Sequence, residues 1–220
     1  MRFDAILFDF DGVLLESEAE GNRQIADYLT SIGHPTTGAE AMSRFMGRAG
    51  KDFLDEVEAF LGRPIPADFH EARAAEDARA IAEGIEEVAG AAAFVRSLPA
   101  DLPRAIASSS STRWITAHLD HLGLRDAFGD KIFSGREHVS RGKPAPDLYL
   151  YAANALGVPI ERCVILEDSP VGATGAVASG AHVIGLCAGQ HCGVGHADVL
   201  RKIGVHDIAA DFEEVTRLVA

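Results

Sequence analysis

Short apolar runs that each stop at polar residues, with helix-like stretches between them, set the tightest limit on what this chain can fold into. The runs fall at 4–10, 103–107, 131–133, 163–166 and 181–186. The first carries Asp9 at its end with Asp11 just past it, the second opens into Ser108, Ser109, Ser110 and Ser111, and the fourth stops at Glu167 and Asp168. The fifth leads into a glycine-rich loop. Apolar runs of this kind suit strands covered on both faces. Helical patterns occupy 88–98, 112–122, 147–156 and 171–179. Strands alternating with helices predict an α/β architecture with a doubly wound parallel sheet.

One interval breaks the rhythm. From 17 to 83 the patterns are helical only, near 17–32, 38–46, 50–61 and 67–82, separated at Pro35, Gly47 and the turn Gly62-Arg63-Pro64. A run of helices directly after the first strand reads as an inserted helical cap domain over 17–83. The core domain is then 1–16 with 84–220.

Composition bounds the partners. The chain has 220 residues and a formal net charge of -13, which disfavours nucleic acid and anionic membrane surfaces. The same charge repels a phosphorylated ligand, so a phosphate site here needs local cations. Cys163, Cys187 and Cys192 give no disulfide framework. The apolar stretch 5–8 is too short for a signal sequence and no stretch approaches a membrane span. The expectation is a cytoplasmic, reduced protein, a monomer or weak dimer.

In open parallel sheets, ligands bind beyond the carboxyl ends of the strands at the topological switch point. The polar residues above sit at such ends. If the first strand lies between the second and fourth, Asp9, Asp11, Ser108, Glu167 and Asp168 converge, and Lys143 in Gly142-Lys143-Pro144 can reach them. Taken singly, each motif reads as a turn, a solvated face or a helix cap, and Ser110 or Ser111 suits a cap. Together they match phosphoryl transfer, which needs a nucleophile, a proton donor and positive charge on the phosphoryl oxygens. Asp9 can attack phosphorus. Asp11 can protonate the leaving oxygen and then activate water. Ser108, Ser109 and Lys143 can hold the phosphoryl group. Asp9, Glu167 and Asp168 would repel one another without a hard cation, and Mg2+ suits such oxygen ligands.

At these residues the chain resembles the haloacid dehalogenase-like hydrolase superfamily, in particular members whose helical cap follows the first strand. The resemblance rests on residues 8–14, 106–108, 142–147, 166–169 and 172–180. It implies a Rossmann-like sheet of order 5-4-1-2-3 and a cap that opens and closes over the site. It also implies Asp9 as nucleophile and metal ligand, Asp11 as acid/base with its carbonyl on the metal, Asp168 as a metal ligand, and Glu167 as a direct or water-mediated one. Asp11 argues against the dehalogenase branch, since halide needs no proton. A phosphosugar mutase of the β-phosphoglucomutase type is the alternative enzyme. Gly21 and Gly50 stand where that branch is expected to carry a histidine and an arginine, which favours hydrolysis. The pattern looks like bacterial sugar- and sugar-acid-phosphate phosphatases, and Arg48 and Lys51 beside the 47–50 turn are candidate substrate cations. A phospho-aspartate receiver-like switch is the non-enzyme alternative; Asp11 and the insert disfavour it. Cys187, His191, Cys192 and His196 are loosely spaced for zinc and read as loop, and Trp114 reads as packing.

Overall fold

The computed structural model describes residues 2–45 and 50–220. The chain divides into two compact units, Met1–Glu16 with Glu86–Ala220, and Ser17–Ile85. In chain order, β1 (Ala5–Phe8) precedes the helical unit of α1 (Ser17–Ser31), α2 (Gly38–Phe45), α3 (Gly50–Leu61) and α4 (Phe69–Glu83). The larger unit resumes with α5 (Ala91–Ser97), β2 (Arg104–Ser108), α6 (Thr112–His121), α7 (Arg125–Phe128), β3 (Ile132–Ser134) and α8 (Asp147–Leu156). It ends with β4 (Cys163–Glu167), α9 (Pro170–Ser179), β5 (His182–Leu186), α10 (His196–Ile203), β6 (Asp207–Ala209) and α11 (Phe212–Val219). No described helix is long and apolar enough to cross a membrane.

The sheet is parallel in all its pairings, in the order β3-β2-β1-β4-β5-β6. The expected order 5-4-1-2-3 is present, and β6 extends it beyond β5. That sixth strand, with α7, α10 and α11, is absent from the sequence reading. A three-residue edge strand, partly buried at Asp207 and Ile208, leaves almost no apolar run to read.

Strand β1 is central. Phe8 is level with Ile106 on one side and Leu166 on the other, and Asp9 N–H still donates to Leu166 O at 2.9 Å. All four of its residues are buried because both faces are covered. Ala5 and Leu7 pack with Leu148, Tyr149 and Ala152 of α8 and with Ala176 of α9. Phe8 points the other way, its ring 5.5 Å from Phe128 and 6.2 Å from Phe94. Successive side chains on a strand face opposite sides, so an apolar strand in the middle of two helical layers fills both.

The helical unit has its own core of Ile25, Ala26, Leu29, Ala41, Phe45 and Val57, with Phe53 and Phe60 packed on it. Phe45 meets Phe53 and Phe60 edge-on at 5.9 and 5.8 Å, a favoured aromatic geometry. Helix α2 opens with a reciprocal cap: Thr37 N–H donates to Glu40 Oε2 at 2.8 Å and Glu40 N–H to Thr37 Oγ1 at 3.2 Å.

Candidate active site

The carboxyl ends of β1, β2 and β4 supply most of the site, and the loop before α8 supplies the rest. Asp9 follows β1 directly, Ser108 ends β2, Glu167 ends β4 and Asp168 follows it. Lys143 Nζ lies 2.7 Å from Asp9 Oδ1 and 2.7 Å from Glu167 Oε2, with all three side chains under a tenth exposed. Oxygens of Asp9, Glu167 and Asp168 lie within 4.8 Å of one another. The strand ends therefore bring together the acids and the lysine singled out above.

Glu167 is fully buried and its oxygens are engaged. Oε2 accepts from Lys143 and from Tyr149 Oη; Oε1 accepts from Ser169 N–H and Oγ at 3.0 and 2.7 Å. Burial opposes its charge, but Lys143, Tyr149 and Ser169 hold the carboxyl below its ordinary range. A Cβ at position 172 would sit 2.1 Å from Glu167 Oε2, so only glycine there leaves room for the carboxylate. Tyr149 also turns its ring toward Lys143, 5.0 Å from Nζ, an electrostatic attraction for the buried ammonium. Burial acts against the Lys143 charge too, and Asp9 and Glu167 outweigh it, so its pKa is raised.

Asp9 goes the other way. Burial first, and the Glu167 charge second, push its carboxyl well above the usual range, with Lys143 opposing. Three buried carboxylates gather at one buried ammonium, with the His191 ring on Asp168, so acidic groups outnumber the cations beside them. An all-oxygen set carrying excess negative charge fits a hard divalent cation such as Mg2+. Since Glu167 is engaged by Lys143, Tyr149 and Ser169, Asp9 and Asp168 are the carboxylates best placed to ligate it directly.

Asp11 sits in a tight turn after β1, in which Gly12 N–H donates to Leu15 O at 2.8 Å and Leu14 N–H to Phe10 O at 2.8 Å. Gly12 has φ +77°, and a Cβ on it would lie 2.1 Å from Asp168 Oδ2, so the turn needs glycine for conformation and for space. The Asp11 carboxylate accepts from Ser110 Oγ at 2.6 Å, Ser108 Oγ at 3.2 Å and Trp114 Nε1–H at 3.1 Å. Trp114 thus does more than pack. Ser111 caps α6, accepting from Trp114 N–H at 3.3 Å, and this sets the first helical turn beside Asp11. Ser109 is exposed, while Ser110 makes the closer approach to Asp11.

Two more residues were read only as loop. His191 Nε2 lies 2.7 Å from Asp168 Oδ2, and His196 Nε2 lies 2.7 Å from the Asp168 carbonyl oxygen. Their one sequence signal was their place after a strand whose neighbour ends in acids. In the helical unit, Lys51 is exposed at the start of α3 and pairs with Asp55. Arg48 lies outside the described residues.

Comparison with known proteins agrees with this geometry. Residues 3–180 match the family described as haloacid dehalogenase-like hydrolase. The chain is 29% identical to the 6-phosphogluconate phosphatase of Escherichia coli K12, over 86% of this chain and 85% of that one. It is 33% identical to hexitol phosphatase A of the same organism, over 86% and 85% of the two chains. A crystal structure of a HAD family hydrolase from Deinococcus radiodurans R1, with bound phosphate and sodium, superposes with a TM-score of 0.87. Its identity is 33%, covering 100% of this chain and 96% of the other.

Proposed function

Because the chain belongs to the haloacid dehalogenase-like hydrolase family, we propose that it is a Mg2+-dependent phosphatase that hydrolyses a small phosphate monoester, a sugar phosphate or sugar-acid phosphate, through an aspartyl-phosphate on Asp9. The observation that carries this reading is the buried ammonium of Lys143 between Asp9 and Glu167, with Asp168 alongside. The names of the Escherichia coli relatives support the substrate class.

Lys143, fixed from behind by Glu167 and Tyr149, orients the Asp9 carboxylate and lends positive charge to the phosphoryl oxygens. Asp9 and Asp168 would hold Mg2+, with Glu167 behind them and the Asp11 carbonyl contributing. When bound, the ion supplies charge neutralisation that lets an anionic ester approach an anionic nucleophile. An Asp9 oxygen bonds to phosphorus as the bond to the leaving oxygen breaks, and Asp11 gives that oxygen its proton. Asp11 then takes a proton from water, whose oxygen attacks phosphorus and releases inorganic phosphate from Asp9. Ser108 and Ser109 complete the phosphoryl cradle. Arg48 and Lys51 are the cations proposed to favour an acidic sugar.

Turnover of p-nitrophenyl phosphate tests the core of the proposal. We expect activity with Mg2+, none with excess EDTA, and recovery when Mg2+ is restored. Asp9→Asn is expected to abolish it; a variant retaining wild-type turnover overturns the nucleophile assignment. A panel of sugar and sugar-acid phosphates compared by kcat/KM then ranks substrates.

A further inference from the structure

The loop between β5 and α10 gathers donors of a different kind. His191, Cys192 and His196 each present one ligand atom, and these lie within 4.8 Å of one another. Cys192 Sγ is 3.3 Å from His191 Nε2. Two ligands on one tetrahedral zinc, with bonds of about 2.3 Å to sulfur and 2.0 Å to nitrogen, stand ~3.5 Å apart, so the pair is already near that spacing.

This loop is anchored at several points. Gln190 N–H donates to both oxygens of the buried Glu16 at 3.1 Å. The His191 ring occupies space that two glycines leave open: a Cβ at position 189 would lie 2.5 Å from its Cε1, and one at position 12 would lie 2.9 Å from it. His196 Nε2 contacts the Asp168 carbonyl oxygen at 2.7 Å. A carbonyl only accepts, so the neutral ring carries its proton on Nε2 and its lone pair on Nδ1. A histidine that ligates a metal is commonly oriented by such a bond from its other nitrogen to a carbonyl.

We propose that His191, Cys192 and His196 form a binding site for a soft divalent cation of the zinc class, beside the all-oxygen cluster of Asp9, Glu167 and Asp168. Thiolate and imidazole select such ions, whereas carboxylates select Mg2+. Binding releases the Cys192 proton. The two clusters meet at Asp168, whose carbonyl oxygen meets His196 and whose Oδ2 lies 2.7 Å from His191 Nε2. Facing a carboxylate oxygen, His191 Nε2 carries the ring proton, so an ion that binds there shifts that proton to Nδ1 and takes the nitrogen from Asp168. Occupancy of the soft site therefore inhibits the enzyme, a consequence that rests on the phosphatase reading above; the site itself does not.

Cobalt(II) added to the full-length protein in saturating Mg2+ is the test. We expect one equivalent to produce a near-ultraviolet thiolate-to-cobalt charge-transfer band and the visible bands of a tetrahedral ion, both bleached by one equivalent of zinc. Cys192→Ser should lose the charge-transfer band and bind zinc at least tenfold more weakly, with its circular dichroism unchanged. No such band in the wild type, or an equal band in Cys192→Ser, overturns the site. One equivalent of zinc should lower phosphatase turnover several-fold in the wild type and not in Cys192→Ser. Bands without inhibition overturn the coupling through His191 and leave the site standing; bands in a protein inactive toward every phosphate ester overturn the phosphatase reading alone.

Discussion

Two lysine–aspartate pairs, one in each unit, show how burial changes what a charge does. Lys51 and Asp55 pair across one turn of α3 with side chains 82% and 56% exposed. Lys143 and Asp9 pair across the strand ends with side chains 4% and 8% exposed. The helical unit repeats the first kind along its surface, as in Arg23 with Glu20 and Asp27 and Arg79 with Glu76. Exposed pairs of this type contribute about 0–1 kcal/mol each, screened by salt. The core pair is held in place by Glu167 and Tyr149, and removing one member strands the others out of water.

The contrast is broken most sharply at Lys143. Lys143→Ala leaves Asp9 and Glu167 without the ammonium that bridges them, and losing one partner of a buried pair costs about 3–5 kcal/mol. We expect a loss of that size in urea unfolding and a fall in kcat of about 100-fold or more. A variant with wild-type stability would show that the buried acids take up protons without cost.

His118 gives the next effect. It is fully buried on α6 with both ring nitrogens unbonded, its ring 4.3 Å from Trp114. Burial lowers its pKa from 6.5 to about 4, with Asp11 opposing. Between those values the unfolded chain binds a proton that the folded protein refuses, so stability falls as pH drops through the window, by roughly 3 kcal/mol in all. His118→Leu should flatten this acid limb. Unfolding midpoints at pH 7 and pH 4.5 that move in parallel for both proteins would refute it.

Trp114→Phe keeps an aromatic ring near His118 and removes the Nε1–H bond to Asp11. A hydrogen bond to a charged group is worth about 1.5–3 kcal/mol, so kcat toward p-nitrophenyl phosphate should fall about tenfold or more with KM unchanged. A rise in KM alone would place Trp114 in substrate binding instead. Lys51→Ala is the smallest change: an unfolding midpoint in urea indistinguishable from wild type, since its pair with Asp55 is exposed to solvent, with any kinetic effect confined to a higher KM for sugar-acid phosphates over neutral sugar phosphates.

Much of the site was legible because its residues stand at strand ends. Asp9, Ser108, Glu167 and Asp168 each follow or finish a readable apolar run, and the chemistry of these side chains points to phosphoryl transfer. The polar environment of Asp11 was not legible. Trp114 is 103 residues from it in sequence, and Ser110 is 99 away. No local pattern distinguishes a tryptophan that donates from one that only packs.

Sequence alone determined the alternating architecture, the helical insertion as an expectation, and which acids, hydroxyls and lysine to compare, because periodicity and side-chain chemistry are local properties. Tertiary structure decided the rest. It tied up Glu167 with Lys143, Tyr149 and Ser169, set two histidines on Asp168, and added a short edge strand. These outcomes depend on strand register and on the paths of loops between distant segments, and a contact across tens of residues leaves no periodic trace in the chain that makes it.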